Sequence, residues 1–276
     1  MMRLGMPEKD YIATLEECIQ GITGNINLKS NLIMAKPALI QAADNYLTVG
    51  RLGELCTIVP INTTVDKDPI VAGEVRKSEM VKLYEYYLRN EEKDARKIYD
   101  QILSAAKEKC PFCGGIGTPR NLDHFLPKAH FPQFSTFPQN LVPSCRDCNM
   151  DGKSEYFARV ASKQVIQPYI DHERFFSDQW IFADYVVFSK EMPGVLRYCV
   201  RPPDDWDKVH RDRVLQHFSD FGLAKRYSVK AAELLGITLA QIAAMQVLGV
   251  VGVARQRWPG HVQRAVRDDP QRQDQG

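Results

Sequence analysis

The chain has 276 residues, of which 44% are hydrophobic and 25% charged, so the composition predicts a folded globular protein and excludes a disordered one. A net charge of only +2 excludes a uniformly basic nucleic-acid binder, so any nucleic-acid surface has to be a local patch. The start, MMRLGMPEKDY, lacks the hydrophobic core of a signal peptide, and the apolar run at 237–253 is interrupted by Gln241, Gln246, Gly249 and Gly252. We therefore expect a cytoplasmic protein without membrane contact.

Apolar residues at helical spacing predict that residues 1–109 form a helical N-terminal region. The predicted helices cover 8–22, 30–46, 80–88 and 92–109. Pro37 is expected to divide or kink the second helix, and Ser78 suits the N-cap of the third. Residues 56–71 contain two prolines and several β-branched residues, which favours a loop or a short extended segment.

Two Cys-x-x-Cys pairs bracket residues 110–153: Cys110 with Cys113, and Cys145 with Cys148. Two thiolates at this spacing can bind one tetrahedral ion, and two such pairs complete a closed structural zinc site. The interval between the pairs is longer than in a simple zinc ribbon, so we expect the zinc to clamp the ends of an inserted unit. Four cysteines without zinc are the weaker alternative. The other cysteines are expected to be buried free thiols: Cys18, Cys56 and Cys199.

Between and just after the cysteine pairs lie residues whose side chains suit metal-assisted hydrolysis. Asp123 offers a carboxylate for a hard metal ion, and His124 has an imidazole that titrates near pH ~6.5 and can act as a general base. Asn140 opens an Asn-Leu-Val-Pro run, Asn149 follows the last cysteine, and Lys153 comes soon after. Taken singly, Asn140 could cap a turn and Lys153 could be a solvated surface lysine.

This stretch resembles the zinc-clamped HNH, or His-Me-finger, endonucleases, in which a β-hairpin and a helix wrap around one catalytic metal ion. The matching segments are LDH at 122–124, NLVP at 140–143 and CRDCNMDGK at 145–153. The resemblance implies an α+β, mainly helical protein. A ββα-metal HNH finger with a structural four-cysteine zinc site, residues 110–160, would lie between helical N- and C-terminal regions.

The resemblance also implies a role for each residue of the finger. Asp123 and Asn149 would bind one catalytic Mg²⁺ or Mn²⁺, and His124 would be the general base that activates water. Asn140 would hold the metal loop in shape through side-chain hydrogen bonds. Lys153 would contact phosphate. Because only two protein ligands are implied, the ion would keep waters and open positions for substrate, as Mg²⁺ commonly does.

The loop 125–139 contains further candidates and apolar residues. Lys128 could contact the nucleic-acid backbone, and His130 is a nearby rival to His124, although we expect it to be structural. The loop phenylalanines are predicted to pack inwards: Phe125, Phe131, Phe134 and Phe137. Large side chains of the helix at 80–88 are predicted to lie in the core rather than to stack on bases: Met80, Tyr84 and Tyr87.

The C-terminal region, residues 161–246, is predicted to be α+β, and a helix is expected to run on from Lys153 to Val160. The predicted strands are 180–185 and 195–201, joined at Pro193 and Gly194, and the predicted helices are 207–218 and 223–235. Basic residues on these helices are expected to form a solvated face or a phosphate-binding ridge: Arg211, Arg213, Lys225, Arg226 and Lys230. A second Asp-His pair, Asp171 and His172, is predicted to be structural. Residues 247–276 read as a disordered tail.

The function predicted from the resemblance is hydrolysis of phosphodiester bonds in DNA of phage or plasmid origin. The wider pattern resembles the nuclease subunits of two-gene bacterial anti-phage systems of the Septu kind, some of which are tied to retrons. Their partner is an ABC-type, SMC-like ATPase, and this chain has no P-loop of its own. Two alternatives stay open: an RNA- or tRNA-cleaving nuclease with the same mechanism, and a non-catalytic zinc-stabilised nucleic-acid-binding module.

Overall fold

The computed structural model of the chain describes residues 1–153, 155–188 and 194–247. In these residues the protein is α+β, with about half of the chain helical and short strands, as predicted. Met1–Ala231 form one compact unit, and Ala232–Gly276 are grouped as a second. The division at 109, 160 and 246 stays a prediction. The predicted tail lies, apart from Val247, outside the described residues.

The elements are short apart from two long helices. The α-helices are α1 (Tyr11–Gln20), α2 (Ile26–Arg51), α3 (Lys77–Lys82), α4 (Arg96–Ser104), α5 (Arg174–Ser177), α6 (Lys208–Asp220) and α7 (Leu223–Val247). Two π-helical segments cover Leu83–Leu88 and Asp147–Lys153. The strands pair as three antiparallel hairpins: β1 (Ile70–Ala72) with β2 (Val75–Arg76), β3 (Asn121–His124) with β4 (Leu141–Ser144), and β5 (Ile181–Val186) with β6 (Val195–Val200).

Helix α2 is continuous over 26 residues, so of the two outcomes expected at Pro37 the division into two short helices is wrong and a single helix forms. The helix buries one face through residues such as Leu32 and Leu39, while Pro37 lies on the exposed side. Packing of the opposite face therefore holds the two halves together despite the lost hydrogen bond. Asn25 caps the start of the helix by accepting a hydrogen bond from the Leu28 amide at 3.0 Å.

The helices before the first cysteine pair begin and end differently from the prediction. Helix α3 begins at Lys77 and not after Ser78, because the Glu79 carboxylate accepts from the Arg76 amide at 2.8 Å. Helix α4 ends at Ser104 instead of reaching residue 109. Lys107 and Glu108 have φ of 47° and 59°, a left-handed backbone that cannot continue an α-helix.

The helix expected to run on from Lys153 to Val160 is wrong for the described residues, which contain turns and irregular backbone there. The ring of Phe157 lies 4.9 Å from the ring of Phe131 and 5.0 Å from that of His130. The chain therefore turns back onto the loop 125–139, and this packing replaces the helical continuation.

The core next to the hairpin β3–β4 is aromatic. All four phenylalanines of the loop are buried, as predicted, and Tyr46 of α2 packs edge-on against Phe134 and Phe137 at 5.0 and 5.1 Å. The core placement of the side chains predicted in the third helix is confirmed for Met80, Tyr84 and Tyr87. Cys18 is buried as expected, whereas Cys56 and Cys199 are half-buried.

The segment 164–171 connects the hairpin to the C-terminal helices. Gln167 donates to the Gln139 carbonyl at 2.7 Å, and the Tyr169 hydroxyl donates to the Leu141 carbonyl at 3.0 Å. Arg213 of α6 binds both oxygens of Asp171, at 2.8 and 2.5 Å, and the side chains are 2% and 1% exposed. Asp171 is thus structural, as predicted, and the expectation of a solvated or phosphate-binding Arg213 is wrong.

The C-terminal elements are placed close to their predicted positions. Strands β5 and β6 pair in register, and Asp207 caps α6 by accepting from the His210 amide at 2.9 Å. Pro193 of the expected turn lies outside the described residues. Helix α7 extends beyond the predicted end at 235. The stretch Leu223–Met245 is long and apolar enough to cross a membrane by length and composition alone, which is weak evidence of a membrane-spanning helix. The cytoplasmic location stays a prediction.

Replacing Asp171 with Asn is expected to destabilise the protein on the order of 3 kcal/mol, because one partner of a buried ion pair is lost and an amide NH₂ is placed beside Arg213 and the Gln167 amide. Chemical denaturation measures the change in unfolding free energy. Asp184→Asn, which breaks an exposed pair with Arg201, is the matched control and should change little. Equal stability of the two variants would contradict the structural role of the buried pair.

Candidate functional site

The hairpin β3–β4 places the predicted residues next to one another. Asp123 pairs with Val142, and His124 pairs with Leu141, so the Asp-His pair lies at the end of the first strand. Two tyrosines from the N-terminal region of the chain bind the backbone of β3. The Tyr84 hydroxyl donates to the Leu122 carbonyl at 3.2 Å, and the Leu122 amide donates to the Tyr99 hydroxyl at 3.1 Å. The backbone that carries the Asp-His pair is therefore fixed on the side away from β4.

The four cysteines of the two pairs come together as predicted: Cys110, Cys113, Cys145 and Cys148 are buried, and their sulfurs lie within 4.8 Å of one another. Sulfurs bound at ~2.3 Å to a tetrahedral zinc are ~3.8 Å apart, and the Cys113 and Cys145 sulfurs are separated by 4.0 Å. An all-sulfur tetrahedral set favours zinc. The cluster therefore fits one structural zinc ion.

Close packing around the cluster requires a glycine at position 117. A Cβ atom there would lie 2.5 Å from the Cys145 sulfur. The Gly117 amide donates to the Cys113 sulfur at 3.3 Å, and its carbonyl accepts from the Cys110 amide at 2.9 Å. The glycine thus lets the backbone approach the sulfurs and stabilise a thiolate through an N–H···S hydrogen bond.

His124 is buried and has a defined tautomer. Its Nε2 lies 2.9 Å from the carbonyl oxygen of Ser135. Because a carbonyl can only accept, Nε2 carries the proton, and Nδ1 is left with the lone pair. Burial lowers the pKa of His124 to about 3, so the ring is neutral at cellular pH. The ring of Tyr84 packs edge-on against the imidazole at 4.4 Å and fixes its plane.

Asp123 is buried beside Lys153. The Lys153 ammonium donates to the His124 carbonyl at 2.5 Å and lies 3.4 Å from Oδ2 of Asp123. Within the described residues, Oδ2 makes no hydrogen bond. Burial raises the pKa of the Asp123 carboxyl and lowers that of the Lys153 ammonium, while their mutual attraction opposes both shifts. A buried carboxylate oxygen with a single, long ionic contact fits a metal ligand.

Asn149 follows the second cysteine pair at the start of the π-helical segment. Its amide N–H donates to the Cys145 carbonyl at 3.0 Å, and its side-chain Nδ2 donates to Asn121 at 3.1 Å. Donation through Nδ2 leaves the Asn149 Oδ1 oxygen as a possible ligand. Asp123, His124 and Asn149 line one open cleft of about 260 Å³. The remaining lining residues are Pro127, Lys128, Ala129, Met150 and Glu155.

Asn140 lies beneath the cleft and ties the loop together. Its Oδ1 accepts from the Leu126 amide at 2.7 Å and from the Tyr46 hydroxyl at 3.2 Å. Its Nδ2 donates to the Leu126 carbonyl at 3.0 Å and the Phe134 carbonyl at 3.2 Å. Asn140 is fully buried, so its side chain is a cross-link of the loop and does not line the cleft.

The two predicted phosphate-binding lysines differ in placement. Lys128 lines the cleft, half-buried, and pairs with Glu85 at 3.5 Å. Lys153 is buried and points its ammonium at Asp123 and the His124 carbonyl, so this geometry corrects the expected phosphate contact to an internal one. The rival His130 stacks on Phe157 and is not among the residues that line the cleft.

Sequence reasoning missed three contributions to the site. The Ser135 carbonyl, which sets the tautomer of His124, leaves no mark in the sequence because it is a backbone group. Glu155 lines the cleft although no motif includes it. The predicted core placement of Tyr84 is correct, and its hydroxyl also donates a hydrogen bond to the β3 backbone. An aromatic residue with a polar tip in a predicted core helix is the signal that could have found this contact.

One curated protein supplies a relationship for the chain. The sequence is 39% identical to Protein ea31 of Escherichia phage lambda over 241 residues. This match covers 87% of this chain and 80% of the relative. No protein-family model matches the chain, and no solved structure matches it. The name of this relative states no activity.

Replacing Cys148 with Ser is expected to cost the bound zinc and to unfold the finger, because three thiolates and a hydroxyl bind zinc far more weakly than four thiolates. Elemental analysis of the purified protein should give one zinc per chain for the wild type and well below one for the variant. Cys18→Ser, at a buried thiol outside the cluster, is the control. A full zinc complement in the Cys148 variant would contradict a four-cysteine site.

Proposed function

This chain belongs to the family of Protein ea31 of phage lambda, and we propose that it is a metal-dependent HNH endonuclease that hydrolyses phosphodiester bonds of DNA. The observation that carries the proposal is the convergence of Asp123, His124 and Asn149 on one open cleft beside the four-cysteine cluster. A pure binding module has no need for a buried neutral imidazole next to a buried carboxylate. The ββα-metal finger is part of the proposal.

In the proposed reaction His124 is the general base. Its Nδ1 lone pair takes a proton from the attacking water while Nε2–H stays bound to the Ser135 carbonyl. The ring has to be neutral to accept a proton, and burial, which lowers its pKa, keeps it so.

Asp123 and Asn149 would hold one divalent ion, Mg²⁺ or Mn²⁺. When bound, such an ion neutralises charge on the phosphate and on the leaving oxygen. Asp123 contributes its Oδ2 atom, which makes no hydrogen bond in the described residues, and Asn149 contributes its amide oxygen. The Lys153 ammonium beside Asp123 favours the ionised form of the carboxyl, and Lys128 at the edge of the cleft is the proposed contact to the nucleic-acid backbone.

The partners follow from what the chain lacks as well as from what it carries. We propose that the nuclease is the effector of an anti-phage system and that an ABC-type, SMC-like ATPase delivers or activates it. The sequence has no P-loop, so any ATP dependence would come from that subunit. A net charge of +2 also supports delivery by a partner, since weak overall attraction to DNA limits unaided binding.

Replacing His124 with Ala is expected to lower the cleavage rate by about 10²–10⁴-fold, the usual contribution of a positioned general base. The measurement is nicking or linearisation of supercoiled plasmid with Mg²⁺ or Mn²⁺, alone and with the ATPase subunit. His124→Gln keeps a donor for the Ser135 carbonyl and separates loss of the base from loss of folding. His130→Ala, outside the cleft, is the control and should cut normally.

Cleavage at the wild-type rate by both His124 variants would contradict the assignment of the base. Cleavage of RNA or tRNA but not of plasmid, again lost in the His124 variants, would keep the mechanism and overturn the DNA substrate. Absence of cleavage of any of these substrates, with the ATPase present, would favour the binding-module alternative.

Replacing Asp123 with Asn is expected to remove most activity and to raise the Mg²⁺ or Mn²⁺ concentration needed for half-maximal cleavage at least about tenfold, because a charged ligand becomes neutral. A metal titration of the cleavage rate, and of metal binding by calorimetry, measures the shift. Asp100→Asn, on an exposed pair with Arg96 of α4, is the control. An unchanged metal midpoint in the Asp123 variant would show that this carboxylate is not a ligand.

A further inference from the structure

The first turns of α7 lie against the cysteine cluster. Nη1 of Arg226 donates to the Cys148 sulfur at 3.2 Å, and Nη2 donates to the Cys145 sulfur at 3.5 Å. Nη2 also lies 3.3 Å from the Asp147 carboxylate, between those two cysteines. The Arg226 side chain is 17% exposed, so the expectation of a solvated or phosphate-binding residue is wrong here. One guanidinium therefore contacts three side chains of the turn 145–148.

Helices α6 and α7 contact the backbone of the first cysteine pair. The Tyr227 hydroxyl donates to the Cys113 carbonyl at 3.2 Å, and His217 Nε2 lies 2.7 Å from the Phe112 carbonyl. These contacts position the cluster but add no charge to the sulfurs. Arg226 differs from them because it brings a full positive charge to two thiolates.

We propose that Arg226 is a positioning residue of the zinc site, which retains the metal by neutralising the second pair of thiolates and holding their turn. Four thiolates around one Zn²⁺ leave a net charge of −2, and a site this buried pays a large desolvation cost for uncompensated charge. Charge-assisted N–H···S bonds reduce that charge, and groups that support metal ligands from outside contribute about 10–100-fold to metal affinity.

The guanidinium geometry explains why arginine is needed. Its planar fork presents two N–H groups at a fixed spacing, which here meet the Cys145 and Cys148 sulfurs separately. A lysine ammonium is a point charge on a flexible stem and cannot span both sulfurs in the same way. Arg226→Lys should therefore keep part of the effect, whereas Arg226→Met should lose it.

The consequence reaches the cleft through the backbone. Asn149 directly follows Cys148, and its amide N–H donates to the Cys145 carbonyl across the turn that Arg226 holds. Loss of Arg226 would loosen this turn and with it the direction of the Asn149 side chain. The zinc-retention effect itself does not depend on nuclease activity, so failure of this inference and failure of the proposed function can be told apart.

The test is the rate of zinc transfer from the full-length protein to a colorimetric chelator. Arg226→Met is expected to release zinc about tenfold faster than wild type or more, with Arg226→Lys between the two. Lys225→Met removes one positive charge from the exposed side of the same helix and should match wild type. If Arg226→Met does not fold, Arg226→Lys carries the test on its own.

Zinc release from Arg226→Met, or from Arg226→Lys where Met does not fold, at the rate of Lys225→Met would overturn the proposal. Tyr227→Phe adds a second criterion, because it weakens docking of α7 at the Cys113 carbonyl without changing charge. Equal acceleration by Tyr227→Phe and the Arg226 variant would also overturn it, since docking rather than the guanidinium would then retain the metal. A selective effect of Arg226 supports it.

Discussion

The cysteine cluster is the constraint on which the rest of the site depends. It joins the turn after α4 to the turn after β4, and so closes a loop that contains the whole hairpin β3–β4. Two strands of four residues each are too short to be stable alone. A zinc ion held by these four cysteines, before and after the hairpin, would supply the missing constraint and fix the position of Asn149 after the last cysteine.

Burial of charge is the second constraint, and it sets the electrostatics beside the cleft. Asp123, His124 and Lys153 are all buried. His124 is neutral because desolvation disfavours its cation, whereas Asp123 and Lys153 face each other and can share opposite charges. Low polarity around the buried side chains strengthens the attraction between Asp123 and Lys153. A neutral imidazole thus lies next to a buried pair of opposite charge.

Much of this arrangement could be predicted from the sequence because the residues that carry it are close together along the chain. Cys-x-x-Cys spacing predicted the cluster, and the resemblance to HNH endonucleases, carried by the segments 122–124, 140–143 and 145–153, predicted the hairpin. The helix boundaries were less accurate, since positive φ at Lys107 and Glu108 and the packing of Phe157 depend on tertiary structure. The relationship between distant residues was the hardest to foresee.

Arg213 and Arg226 illustrate that difficulty. Both occur in helices with alternating charges, where sequence alone favours solvent exposure. In the folded chain, Arg213 meets Asp171, 42 residues away, and Arg226 meets Cys148, 78 residues away. No pattern in a single sequence predicts a contact between two residues this far apart along the chain. What could have raised suspicion is the choice of arginine at both positions, because its fork suits buried anionic partners better than lysine does.

The long loop between β3 and β4 positions His124 and is more than a simple connection. A two-residue turn would join these strands with fewer residues, yet it could provide neither the Ser135 carbonyl nor the buried side chains of the loop. The Ser135 carbonyl fixes which nitrogen of His124 is free to accept a proton, and Asn140 fixes the loop by four hydrogen bonds to groups on both sides of it. The buried phenylalanines pack this irregular loop into the core next to the hairpin. The tautomer and orientation of His124 therefore depend on loop packing as directly as on the identity of the residue itself.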